Sequence, residues 1–501
     1  MYIHSNYTGD TEFYKEGPDP LYTDINKLIF DDKFIHLYTI QKRFNWEMQE
    51  LIVDKNNKAN LVNFIKNGLE QIYESMNDVD KVFSAIRYVA DYFKYDGTVA
   101  YENVIYSINT RRAVCQQYGW AIAMLLRAAN IQALPIVNKD HKLTAVKIKT
   151  KNDNKPKWYF LDATWFDTDS KLKMQVKHIP HGWNTIGIRD YWQILIKPSR
   201  LEKDTLQYVG SRFNLFLPWD QIQDKDYAAQ EDFFETSVFN NPKFEDNDIT
   251  LQGVDYISRP SRYFFYKGYW YFISHFKRNN NISKMGLFKF QLDNKIIKLV
   301  KDETNNKQDN NDEIAKLINF KESSIAPMVF QEGNLIYFYY YLKNKHILEV
   351  FDIEKKIKIK EIELNNKFPN VKLETNTPIY GFTVENGNIN FEYKNNNNEK
   401  NETSFKILDL LENSNLSDNI NNFDLFKKIQ LARIEYGTYM FLDNYNNNEY
   451  NYLPIKLRIE FDKLRKEIEI VLKEELSSHQ INNFINKLDI SLKKLREFNK
   501  Q

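Results

Sequence analysis

The stretch from Arg111 to Asp167 constrains this chain more than any other, because it spreads a cysteine, a histidine and an aspartate over three consecutive predicted elements. Behind Cys115, the apolar residues Ala121, Met124, Leu125 and Ala128 recur at three- and four-residue spacing. That spacing predicts a helix with one apolar face, opening at the cysteine and ending near Asn130. A short apolar strand, Ile131 to Val137, follows. A hairpin comes next, with strands from about His141 to Lys149 and from about Asn154 to Asp162 around a turn rich in Asn, Asp and Lys.

If Thr150 to Asp153 form that turn, antiparallel pairing puts Lys149 opposite Asn154 and, counting outward, His141 opposite Asp162. Directly opposed residues share a face, with Cβ atoms about 5 Å apart. A carboxylate so placed accepts the imidazole N–H, fixes its tautomer and stabilises the imidazolium. A cysteine at a helix N-terminus meets backbone N–H groups and the positive end of the helix dipole, and Arg111 and Arg112 add positive charge nearby, which favours a thiolate. Cys115, His141 and Asp162 are therefore candidates for nucleophile, base and orienting group. Taken alone, a cysteine is more often a small buried hydrophobe.

These residues resemble the transglutaminase-like superfamily of papain-fold enzymes. That family shows Gly-Val-Cys at the start of a buried helix, a strand opening with His, and a strand ending in Asp before Thr-Trp. The positions here read Ala113-Val114-Cys115, His141 and Asp162-Ala163-Thr164-Trp165, and the upstream segment Asp80 to Asp96 resembles the family's helix ending in Tyr-Asp. The resemblance runs from about Asn60 to Trp192. The chain departs from it at Ala113, where glycine is usual, and at Lys142-Leu143-Thr144, where Ala-Trp-Asn is usual. The resemblance implies acyl transfer through a thioester, with Cys115 as nucleophile, His141 as general base and acid, and Asp162 as orienting group. The substrate would be a protein or peptide amide, and water is the default acceptor, so hydrolysis is expected ahead of cross-linking. A fold retained without turnover, serving as a binding or scaffold protein through its C-terminal regions, is the alternative.

A chain of 501 residues is expected to hold two or three domains. Its 42% hydrophobic and 15% aromatic content supplies packed cores, and a net charge of +1 gives no reason to expect nucleic acid or an anionic membrane as main partner. With one cysteine no intrachain disulfide forms. No run of about 18 apolar residues or signal-like start occurs, so the default expectation is cytoplasmic, with export or cell-surface location open for a processed chain. No cofactor is expected. His178 and His181 invite a metal reading, but without a third ligand a loop walling the cleft is the better expectation.

Alternation in residues 21–53 fits a strand, and two amphipathic helices are predicted over Leu61–Ser75 and Val79–Phe93. Tyr191, Trp192 and Ile194 suit a closing strand, and residues 201–255 a connection. From Arg262 three similar units follow, each built as strand, glycine turn and strands, on Gly268, Gly333 and Gly387, which supply the positive φ that such hairpins need. They resemble propeller blades, but three are too few for an ordinary closed propeller, which leaves a partial or divergent propeller or a β-sandwich open. Tyr269, Trp270, Tyr271, Tyr339 and Tyr340 are candidates for a carbohydrate or peptide platform or, more simply, for core. Leu457, Phe461, Leu464, Ile468 and Val471, then Phe484, Leu488, Leu492 and Leu495 after a cap at Ser478, predict a helical hairpin that packs internally or forms half of an oligomer interface. The expectation is thus an α+β papain-like (transglutaminase-like) domain over residues 61–200 after an N-terminal segment 1–60, an all-β repeat domain, propeller-like or sandwich, over 256–415, and a C-terminal α-helical hairpin within 416–501.

Overall fold

The computed structural model describes residues 58–100, 102, 104–138, 141–151, 153–166, 238, 243–251, 263–279, 284–303, 308–320, 327–343, 345–365, 379–385, 387–394, 397, 399–407, 421–440, 442–444, 449–451 and 454–498. The strand expected within 21–53, His178, His181 and the Tyr191–Ile194 segment lie outside the described residues. The chain mixes helices with many β-strands.

Helix α1 (Lys58–Leu69) buries Leu61, Phe64, Ile65 and Leu69, the face that the spacing predicts. Helix α2 (Asp78–Tyr92) starts at a capping box, in which Asn77 accepts from the Asp80 N–H at 2.9 Å and Asp80 accepts from the Asn77 N–H at 3.2 Å. A two-residue strand β1 (Lys94–Tyr95) and helix α3 (Val104–Thr110) lead to β2 (Arg112–Ala113), which pairs in parallel with β1. Helix α4 (Cys115–Ala128) begins at the cysteine. Every residue from Gln117 to Ala128 is buried, so α4 is enclosed on all sides rather than amphipathic. Helices α1 to α3 cover part of it, and a sheet of β3 (Gln132–Asn138), β4 (His141–Ile148) and β5 (Lys157–Leu161), in that order, covers the rest.

After a short helix α5 (Ala163–Phe166) come β6 (Lys243–Phe244), β7 (Ile249–Leu251), β8 (Tyr263–Tyr266), β9 (Tyr269–Arg278), β10 (Lys284–Phe290) and β11 (Ile296–Asp302), which share one sheet. Helix α6 (Glu313–Leu317) precedes a second sheet, β12 (Met328–Glu332) to β13 (Leu335–Leu342), β14 (Lys345–Asp352) and β15 (Ile357–Glu363). A third holds β16 (Ile379–Glu385), β17 (Asn388–Lys394) and β18 (Lys400–Lys406). Each predicted glycine turn joins a strand pair, with φ of +82° at Gly268, +57° at Gly333 and +73° at Gly387.

The sheets stack in series through period-two alternation. Tyr263, Phe265, Trp270 and Phe272 join the core around α2 and α4, while Phe264, Tyr266, Tyr271 and Ile273 pack with Ile336, Phe338 and Tyr340 of the second sheet. The next face of the second sheet, Tyr337, Tyr339, Leu348 and Val350, packs with Val384, Ile389 and Phe391 of the third. Three layers go beyond a two-sheet sandwich. The same packing corrects the platform reading: Trp270, Tyr271, Tyr339 and Tyr340 are buried between layers, and Tyr269 is half-buried with the Lys289 ammonium 5.0 Å from its ring centre. Trp270, Tyr271, Tyr339 and Tyr340 are therefore core residues.

Helices α7 (Asn422–Met440), α8 (Ile455–Val471) and α9 (Ser478–Phe498) close the chain. Leu425, Ile429, Ala432 and Tyr436 of α7 fill the seam between Phe461 and Ile468 of α8 and Ile481, Leu488 and Leu495 of α9, so this seam is covered within the chain. The cap of α9 is Ser477, one residue before the expected Ser478, and its N–H donates to the Gln480 side chain at 3.0 Å. Residue Ile434 of α7 reaches the core of α1, α2 and α4, and Lys427 pairs with Glu70 at 3.4 Å.

Candidate functional site

The approach to Cys115 is built by the short parallel pairing of β1 and β2. Tyr95 stands opposite Ala113, the Lys94 N–H donates to the Arg111 carbonyl at 2.7 Å, and the Asp96 N–H donates to the Ala113 carbonyl at 2.9 Å. The Tyr-Asp pair, expected at the end of a helix, lies in and just after β1, beyond the end of α2 at Tyr92, and clamps the residues that lead into the cysteine. Val114 is the N-cap of α4 and has no side chain able to cap. Gln117 compensates from inside the helix: its side-chain oxygen accepts the Val114 N–H at 2.9 Å, and its amide donates to the carbonyls of Val99, at 3.3 Å, and Glu102. Fully buried, Gln117 fixes the start of α4 to the preceding loop. Its role had no sequence signal beyond its position three residues past the cap.

Cys115 is the first residue of α4 and is half-buried, so the thiol is placed where a helix dipole acts and solvent reaches. The arginines expected to assist it are engaged elsewhere. Arg112 donates to Asp96 from Nε at 2.7 Å and from Nη2 at 2.5 Å, and to the Thr98 hydroxyl at 2.8 Å, while Arg111 lies 4.7 Å from the Tyr92 ring centre. Hydrogen bonds from Thr98 chiefly, and then from Arg112, hold the Asp96 carboxyl down at about 2. Tyr95, the tyrosine of the Tyr-Asp pair, senses the cysteine: its phenol is raised by burial first and by the Cys115 charge second.

Across from α4, the Gly119 backbone touches β4. The Thr144 hydroxyl donates to the Gly119 carbonyl at 3.1 Å, and a Cβ on Gly119 would lie 3.2 Å from the Leu143 carbonyl oxygen. Thr144, Val146 and Ile148 are buried, and the last two share the core of α4. At the opening of the strand, Lys142 donates from Nζ to the Gln116 side-chain oxygen at 2.5 Å. The residue after the candidate base thus bonds the residue after the candidate nucleophile. His141 is the first residue of β4, opposite Asn138, and its side chain lies outside the described residues.

The β4–β5 register differs from the expectation by two residues. Thr144 stands opposite Leu161 and Ile148 opposite Lys157, so the ladder contains no His141–Asp162 pair. The reason is Asp153. Thr150 and Asp153 do close a turn, with the Asp153 N–H donating to the Thr150 carbonyl at 3.1 Å, but the Asp153 carboxylate turns inward. One of its oxygens accepts the Thr150 N–H at 3.1 Å, the Thr150 hydroxyl at 2.6 Å and the Tyr159 hydroxyl at 2.5 Å. Pairing resumes only at Lys157. Because the offset is even, it preserves the face that each strand residue presents. Asp162 follows the last paired residue, is buried, and accepts the Thr164 N–H at 3.0 Å at the start of α5.

Among the described residues no group of three or more His, Cys, Asp or Glu side chains is arranged to hold a metal ion, and no helix is long and apolar enough to cross a membrane. No protein family, curated protein or solved structure matches the chain.

Proposed function

We propose that this chain is a thiol-dependent acyl-transfer enzyme of the transglutaminase-like type, with a papain-like α+β domain over residues 61–200, acting on protein or peptide amides and passing the acyl group to water. The supporting observation is the Lys142–Gln116 bond of 2.5 Å, which draws the opening of the His141 strand against the first turn of the Cys115 helix. In this reading the Cys115 thiolate attacks the amide carbon. The C–N bond then breaks as His141 protonates the leaving amine, leaving a thioester. Water, deprotonated by His141, attacks the thioester and displaces the Cys115 sulfur. Asp162 orients His141. Cys115→Ala abolishes peptide hydrolysis on this reading, and hydrolysis that persists in that variant sinks it.

The second reading is a binding or scaffold protein on a fold that has lost turnover. It is favoured by the two-residue register offset and by the use of Asp162 as a cap for α5. A partner retained by the Cys115→Ala protein with unchanged affinity, together with an ordinary thiol, would support it.

A further inference from the structure

Of the cations around the start of α4, Arg112 is bonded to Asp96 and Arg111 rests on Tyr92, whereas Lys142 reaches the helix itself. Its ammonium is held at 2.5 Å by the neutral amide oxygen of Gln116, the residue after Cys115, and both side chains are half-buried. Partial burial strengthens a charge interaction relative to water.

We propose that Lys142 is an electrostatic positioning residue for Cys115: fixed by Gln116, its ammonium stabilises the thiolate and draws negatively charged reactants toward the sulfur. The proposal rests on Cys115 being the reactive centre of this chain and names what activates it. A cation near a thiol favours the charged form, so the thiol should stay nucleophilic at lower pH than a free cysteine. The same charge favours acyl substrates with a carboxylate beside the reacting carbonyl.

The single cysteine makes the test direct, because every thiol adduct forms at Cys115. Alkylation rates with neutral iodoacetamide and anionic iodoacetate are measured from about pH 5 to about pH 10 for the native protein, Lys142→Met, Lys142→Arg and His141→Ala. Lys142→Met should raise the reactivity midpoint by about one pH unit and lower the iodoacetate-to-iodoacetamide rate ratio several-fold, and Lys142→Arg should restore both. An unchanged midpoint and ratio in Lys142→Met overturns the proposal. If that variant does not fold, the native ratio is compared with that of the urea-unfolded chain: a higher native ratio that falls with added salt upholds the proposal, and an equal one overturns it. A Lys142 effect without a His141 effect leaves this inference standing and removes the triad. A His141 effect without a Lys142 effect does the reverse.

Discussion

The indole N–H of Trp270 donates to the Asp80 carboxyl at 2.8 Å, a buried bond between residues 190 positions apart. It fastens the first turn of α2 to β9. Phe83 packs edge-on against the same indole at 5.0 Å, and Arg87 lies 5.1 Å from its ring centre. The helical front and the first sheet accordingly share a single hydrophobic core.

This bond predicts a pH dependence. Burial first of all lifts the Asp80 carboxyl to about 7, against the lowering effect of the bonds from Trp270 and Asn77. A carboxyl raised in the fold binds its proton more tightly than in the unfolded chain, so its contribution is full below about pH 4 and is lost as pH rises through about 7. Glu332, lifted by burial to about 7, acts in the same window and direction. The melting temperature should therefore carry a falling component between about pH 4 and about pH 7. Asp80→Asn keeps an acceptor for Trp270 and should flatten that component, which thermal melts at several pH values will read. An equal slope in the variant refutes the assignment.

Gln331 predicts an inter-sheet loss. Its side chain accepts the Phe265 N–H at 2.7 Å and donates to the Phe265 carbonyl at 2.9 Å, so an amide from β12 closes the edge of β8 as a strand would. Gln331→Glu keeps the acceptor and loses the donor, setting a carboxylate against a buried carbonyl. A destabilisation of about 1–3 kcal/mol is expected in urea unfolding.

The parts legible in the sequence were those fixed by local chemistry. The start of α4 at Cys115 followed from spacing, and the turns at Gly268, Gly333 and Gly387 from the φ that tight hairpins demand. The register of β4 and β5 was not legible, because it depends on whether Asp153 points outward or inward, and its partner Tyr159 looks like any strand aromatic. Burial of Trp270 and Tyr340 was equally hidden: a strand clothed on both faces and an exposed aromatic platform have the same composition, and the layer that covers them lies elsewhere in the chain. Helix α7 escaped notice because its apolar residues serve two contacts, Ile434 on the front core and Leu425 and Ile429 on α8 and α9, so no single stripe stands out.

The β8–β9 hairpin offers a two-sided test. Lys267 and Gly268 both have positive φ, +46° and +82°, the form that favours Asn-Gly, and nothing lies within 4 Å of a Cβ placed on Gly268. Gly268→Ala should therefore destabilise by about 1–2 kcal/mol through backbone strain alone. Lys267→Asn should be neutral or stabilising by up to about 1 kcal/mol despite the loss of its Glu313 bridge, because an exposed pair contributes little. Equilibrium unfolding of both variants checks the opposite signs.

The Asp153 cluster predicts a graded series. Tyr159→Phe removes one of three donors to the carboxylate and should lower stability by about 1 kcal/mol. Asp153→Ala leaves both hydroxyls of the cluster without their acceptor and should cost about 2–3 kcal/mol. Faster amide exchange confined to β4 and β5 would place the loss at this hairpin.

Gly119 predicts a coupling between the sheet and the cysteine. A methyl group at that position would sit 3.2 Å from the Leu143 carbonyl oxygen, a backbone atom that cannot rotate aside, so Gly119→Ala must move β4 away from α4. The Thr144 hydroxyl bond to the Gly119 carbonyl, 3.1 Å long, then stretches, and the Lys142–Gln116 bond one turn nearer the cysteine is strained with it. Stability should fall by roughly 1–3 kcal/mol, and the pH profile of Cys115 alkylation should shift toward that of a free thiol. Thr144→Val removes the same hydroxyl bond without adding volume between the backbones. It should lower stability and leave the alkylation profile in place, which separates the spacing of helix and strand from the hydrogen bond that accompanies it.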